Sequence, residues 1–171
     1  MKDFHGIDLD MLFDNESEYG EQYRQCEVRD EDIERAEKTM GYKLPGSYTE
    51  LLRLQNGGLI NDEEYDEAWL TAIYGVGQTA DAYNGLEDMF ENWHDEWEYP
   101  DIGIPFGETE SAGHDMYYMD FRCVDAGGEP RIVRIDGEDD NAVYFIADNL
   151  IEFLKKLVNG GDIYHGRRLD G

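Results

Sequence analysis

The chain has 171 residues, 40% of them hydrophobic and 13% aromatic, with 14 Lys and Arg against 41 Asp and Glu for a formal net charge of −27. That length suits one domain with a packed interior, and the aromatic content excludes a disordered acidic tail. Surplus charge of this sign repels phosphate backbones and anionic lipid heads, so nucleic acid and membrane are not expected partners, while a basic protein is drawn in by long-range, salt-sensitive attraction.

No stretch approaches the roughly 18 apolar residues of a membrane span, and the first 20 residues lack the basic start and apolar run of a leader, so the expected location is the cytoplasm. Cys26 and Cys123 have no C-x-x-C spacing and are expected as free, buried thiols in a reducing compartment. The organisation expected is a single domain over residues 1–171, with a core of about residues 28–158, a loop-rich N-terminal arm at 1–27 and a polar tail at 159–171. Within the arm, one helical turn is expected near residues 8–13.

A first helix is expected to start at Asp30 as N-cap, to place Ile33, Glu37 and Met40 on one face with Ala36 alongside, and to stop at Gly41. Leu44-Pro45 marks the start of a second, because the fixed φ of proline suits the first helical position. Its Tyr48, Leu51, Leu52 and Gln55 share a side, and Asn56-Gly57-Gly58 supplies a left-handed exit. An acidic loop with Asp62, Glu63, Glu64, Tyr65, Asp66 and Glu67 follows, then a β-like run at 69–74 and a turn-rich stretch at 75–85. A third helix is predicted over 86–97, with Leu86, Met89, Phe90, Trp93 and Trp97 on one face and Glu87, Asp88, Glu91, Asn92, Asp95 and Glu96 on the other.

Beyond Pro100 the pattern turns to strands at 102–106, 116–124, 131–136 and 142–146, with short turns that favour an antiparallel meander. The 116–124 strand is expected to have one apolar and one mixed face. A last helix at 147–158 carries a wide apolar stripe that should pack across the sheet. The fold class expected is therefore α+β, with N-terminal helices, a mostly antiparallel sheet in the second half and a C-terminal helix packed on it.

Several blocks resemble the SUKH superfamily, named in part for the fungal Smi/Knr cell-wall-assembly regulators. They are Ile33-Glu34-x-Ala36-Glu37 with Gly41-Tyr42-Lys43-Leu44-Pro45, and Asn56-Gly57-Gly58. Downstream come Tyr99-Pro100-Asp101-Ile102-Gly103, Ser111-Ala112-Gly113-His114-Asp115-Met116, Asp120-x-Arg122 and Gly128-Glu129-Pro130-Arg131, similar to a bacterial subgroup. The sequence departs from that subgroup at Ile104-Pro105-Phe106-Gly107 and in its Glu-rich stretch at 87–98. The resemblance implies a non-catalytic domain without cofactor that serves as the immunity partner of a bacterial toxin, often a nuclease or deaminase. It equally admits a regulatory protein-binding scaffold of the fungal type.

Two acidic-aromatic segments are candidate binding surfaces for a basic protein: residues 62–67 with Tyr65 and Trp69, and Glu87, Glu91, Asp95 and Glu96 with Trp93 and Trp97. Rings supply desolvated contact and carboxylates speed encounter. The bland alternative, that the tryptophans are core and the acids merely solvated, stays open, as do monomer and dimer. His114, Asp115, Asp120 and Asp136 carry the donor types of a metal or acid-base site. No second motif closes one, so they are expected as loop hydrogen-bonding groups, with no catalytic or metal site. Gly75-Val76-Gly77-Gln78-Thr79-Ala80 fits a loose dinucleotide fingerprint but lacks the alternating strand-helix series and a nearby cation.

Overall fold

Alternating apolar runs in the second half of the chain pair edge to edge, and in the computed structural model, which describes residues 1–77 and 85–169, they form the centre of one antiparallel meander. Ahead of it come a short hairpin, β1 (Asp3–Phe4) and β2 (Ile7–Asp8), and four helices: α1 (Leu9–Leu12), α2 (Glu18–Tyr23), α3 (Asp30–Met40) and α4 (Gly46–Leu54). The sheet runs in chain order through β3 (Gly58–Leu59), β4 (Leu70–Ile73), β5 (Gly103–Thr109), β6 (Asp115–Val124), β7 (Pro130–Asp136), β8 (Ala142–Ala147) and β9 (Arg167–Leu169). Between β4 and β5 lie α5 (Leu86–Glu91) and a π-helical turn at Asn92–Glu96, and α6 (Leu150–Val158) precedes β9. The expected α+β class and closing helix are what the chain adopts.

The N-terminal segment is no mere arm. Phe4, Leu9, Leu12 and Phe13 are buried in the same cluster as the sheet, and Phe13 bridges Ile60 beside β3 while the Asp14 N–H donates to the Leu59 carbonyl at 2.9 Å. Apolar residues at helical spacing in 9–13 were sufficient to dock the segment over what would otherwise be an open sheet edge. The polar tail is corrected likewise: Ile163 is buried, the Tyr117 hydroxyl donates to its carbonyl at 2.7 Å, and Arg167 pairs with Phe145 as β9 extends the sheet.

α3 begins at its expected cap residue, one position earlier than predicted. Asp30 is already helical and Asp32 performs the capping, its carboxylate accepting the Arg29 N–H at 3.0 Å. Pro45 occupies the N-cap of α4 rather than its first turn. At the other end Gly57 adopts φ +80°, and a Cβ there would lie 2.4 Å from the Gly75 nitrogen. The Asn56 side chain holds this approach together, donating to the Cys26 and Val76 carbonyls at 2.7 Å each and accepting the Val76 N–H at 2.8 Å.

β6 divides along its length rather than between faces: residues 115–120 are all buried, whereas 122–124 are exposed. Tyr117 packs on Phe153 of α6, whereas Tyr118 meets Tyr99 and His94 on the opposite side. Both cysteines are free but exposed. Cys26 lies in the link before α3 and Cys123 on the end of β6 beyond a break in its pairing with β7, so neither reaches the core.

Candidate protein-binding surface

The acidic loop between β3 and β4 is shaped by local turns. Asn61 donates its N–H to the Leu12 carbonyl, its side-chain oxygen accepts the Glu63 N–H, and its carbonyl accepts the Tyr65 N–H. This winding turns Asp62, Glu63, Glu64, Asp66 and Glu67 outward, all exposed, while Tyr65 and Trp69 lie half-buried against the core. Among the described residues none of those five carboxylates has a cation within ion-pair distance.

Two grooves flank the loop. One is lined by Asp62 and Glu63 together with Asp10, Phe13, Asp14 and Glu16. The other is lined by Glu64, Tyr65, Asp66, Glu67 and Trp69 on one side and by Leu157, Val158, Asp162 and Tyr164 on the other. Neither lining contains Lys or Arg. Among the described residues, cations approach these walls only from behind or at the rim: Arg134 lies 2.9 Å from the Tyr164 carbonyl, Arg24 3.3 Å from the Asn15 side chain and the Met1 amino group 3.6 Å from Asp10. Hydrogen bonds keep key wall carboxylates ionised: Ser17 holds the Asp14 carboxyl below its ordinary value, and the backbone N–H groups of His165 and Tyr164 do the same for Asp162.

The aromatic wall is anchored from within. The Trp69 indole N–H donates to Asp115 Oδ2 at 2.6 Å, and the same carboxylate accepts from the Thr109 hydroxyl at 2.6 Å and Arg134 at 3.1 Å. The Arg134 guanidinium in turn lies 4.2 Å from the Tyr164 ring centre and 4.8 Å from that of Tyr144, and its Nε donates to the Tyr164 carbonyl at 2.9 Å. Asp115 is thus more than a loop hydrogen-bonding residue: it ties the ring just ahead of β4 to the segment that leads into β9.

The second predicted segment comes apart. Glu87 is buried rather than outward, paired with Arg35 at 3.3 Å and accepting the Gly77 N–H at 3.3 Å, so it is withdrawn from any external surface. A helical wheel placed it outside because its partner on α3 lies 52 residues away. Trp93 is core, its indole donating to the Tyr74 hydroxyl at 3.0 Å. Glu91, Asp95 and Glu96 remain exposed beside Trp97, which is 46% exposed and packs at 5.3 Å on Trp93 and 6.4 Å from His114.

The remaining motif residues have structural partners. Leu44 and Pro45 are buried at the α4 start. His114 meets Glu138 at 3.1 Å. Asp120 is fully buried; burial opposes its charge, but hydrogen bonds from Arg122 at 3.0 Å and Arg131 at 2.9 Å hold its carboxyl below the ordinary value. Among the described residues no group of three or more His, Cys, Asp or Glu is arranged to hold a metal ion. Gln78, Thr79 and Ala80 of the glycine-rich stretch lie outside the described residues.

Sequence reasoning missed Asp10, Asp14, Glu16, Asp162 and Tyr164, since each sits in the N-terminal arm or the polar tail, outside the expected core. The alternation of carboxylates with Leu9, Leu12 and Phe13 was the available signal for the first three. Among the described residues no helix is long and apolar enough to cross a membrane. The model of the SMI1 / KNR4 family (SUKH-1) matches residues 27–156, and the chain belongs to that family. No curated protein matches the chain. The loop at 61–69 falls within the matched span, whereas the outer walls of both grooves, at 10–17 and 157–164, are supplied largely from beyond it.

Proposed function

We propose that this SMI1 / KNR4 family member is a non-catalytic immunity protein of the cytoplasm. It binds a cognate bacterial toxin with a basic, nuclease-type domain and caps it with the 62–67 loop and the grooves on either side. The observation that carries this reading is that several carboxylates and no Lys or Arg line each of the two grooves.

Charge placement supports it. Arg29, Arg35, Arg53, Arg122, Arg131, Arg134 and Arg168 are all engaged in ion pairs with carboxylates elsewhere. The five loop carboxylates are left without such a partner among the described residues. A single solvated charge pair is worth only about 1 kcal/mol at contact in water, so affinity cannot come from individual carboxylates. Their summed field acts instead on encounter, raising association rates by about 10- to 1,000-fold at low salt. Half-buried Tyr65 and Trp69 supply the desolvated contact that lasting complexes need. A capped nuclease-type domain loses access for its anionic substrate because carboxylates occupy the positions that phosphates would take.

Co-expression with the toxin domain of the adjacent reading frame tests the reading. Protection of the cells and co-purification at low salt, falling as salt rises, is the expected result. Equal killing with and without this chain contradicts it and favours the scaffold role of the fungal relatives.

A further inference from the structure

The groove between the 64–69 loop and the 157–164 segment differs from its neighbour in having rings as well as carboxylates. Tyr65, Trp69 and Tyr164 line it beside Glu67 and Asp162. Trp69 and Tyr164 stand edge to face with ring centres 5.1 Å apart. Neither ring is at liberty to fold inward and close the groove. The Trp69 indole is tethered to Asp115, and Tyr164 is held through its carbonyl and ring by Arg134. Asp115 and Arg134 are themselves an ion pair at 3.1 Å with side chains only 5% exposed. A buried pair of this kind costs desolvation that its own attraction scarcely offsets, so its use is to fix geometry rather than to add stability.

Rings held open beneath carboxylates suit one side chain above others. A guanidinium is planar, stacks on aromatic faces, sheds water readily and forks its N–H groups onto carboxylates, whereas an ammonium is a compact, strongly hydrated point charge. Building on the toxin-capping reading, we propose that this groove receives an arginine side chain of the partner protein, seated against Trp69 and Tyr164 and paired with Glu67 and Asp162. Asp115 and Arg134 act as positioning residues that keep the groove open.

The test uses the whole chain and two probes, penta-arginine and penta-lysine, followed through the indole N–H resonances of the three tryptophans, with W69F for assignment. Penta-arginine is expected to shift the Trp69 indole saturably, leave Trp93 unmoved and bind at least about fivefold more tightly than penta-lysine. Glu67→Gln with Asp162→Asn should weaken binding about tenfold, the loss expected for two charge-assisted contacts. Asp115→Asn should release the Trp69 indole and lower the arginine preference. Should that variant fail to fold, W69F removes the same tether while keeping a ring; its affinities for the two peptides are read by calorimetry, since the reporter indole is gone, and the same loss of preference is expected.

Equal affinity for the two peptides, or shifts confined to the Trp93 and Trp97 indoles, overturns the proposal. So does a Trp69 shift that grows with protein concentration alone, since a second copy would then fill the groove. The two readings fail separately. A toxin captured without any effect on Trp69 sinks the arginine groove and leaves the capping function. Penta-arginine seated at Trp69 with no toxin bound does the reverse.

Discussion

Along β6 the carboxylates of Asp115 and Asp120 are buried and gripped by arginines, whereas those of the 62–67 loop stand in water with no cation in reach among the described residues. Both sets are acidic residues flanked by aromatic ones, and composition does not tell them apart. Placement does. The chain has 14 cations for 41 acids, and it commits arginines to carboxylates that the fold needs inside. Being unpaired is necessary for a carboxylate to meet a partner, and in the 62–67 loop it coincides with flanking grooves.

The contrast breaks most visibly at Asp120. Replacing it by Asn leaves Arg122 and Arg131 facing a neutral group in a buried site, and a loss of about 3 kcal/mol in denaturant unfolding is expected. Because the folded carboxyl titrates below its ordinary value of 3.8, this contribution is present above that pH and fades as pH falls through the folded value. In Asp120→Asn that acid-side fade should be absent. Capture of a basic partner per folded molecule should not change.

Asp32 sharpens the same point on α3. Hydrogen bonds from Arg29, outweighing burial, bring its carboxyl down to about 2. Stability from this group is therefore full above its ordinary value of 3.8 and lost as pH drops towards about 2. Asp32→Asn should cost about 1.5 kcal/mol at neutral pH, the scale of a lost helix cap, measurable by thermal unfolding.

The loop should behave oppositely. Neutralising Asp62, Glu63, Glu64, Asp66 and Glu67 together as Asn and Gln is expected to alter stability by no more than about 0.5 kcal/mol, as for solvated surface positions. Association with a basic partner at low salt should slow by about tenfold, and the gap should narrow at high salt, where screening removes steering for both forms.

Glu108 provides the smallest and most discriminating contrast, being a largely buried carboxylate without an arginine. Burial raises its ionisation above the ordinary 4.5, only partly countered by the hydroxyls of Tyr74 at 2.8 Å and Tyr23 at 3.2 Å. With the folded value above the unfolded one, stability is highest at low pH and declines as pH rises through the folded value. Glu108→Gln should remove that decline, a change of about 0.5 to 1 kcal/mol in the pH dependence of unfolding.

Much of the fold was legible because its signals are local. Alternation marked β4 to β8, Pro45 and Gly57 bracketed α4, and the stripe of Leu150, Phe153, Leu154 and Leu157 defined α6. What escaped depends on distant partners. Glu87 is held inside by Arg35 of α3 and the Gly77 N–H, and the burial of residues 115–120 of β6 follows from elements covering both its faces. The acidic loop was likewise plain as a charged run, but the grooves that give it shape join residues 10–17, 61–69 and 157–164, a juxtaposition that no window along the chain contains.

Amide hydrogen exchange on the chain, free and bound to the toxin domain encoded beside it, maps the capped surface without any substitution. New protection is expected at residues 10–17, 61–69 and 157–164, with 91–98 unchanged. Protection centred on 91–98, or on the β9 edge, with the loop and both grooves still exchanging freely, would contradict capping by this surface.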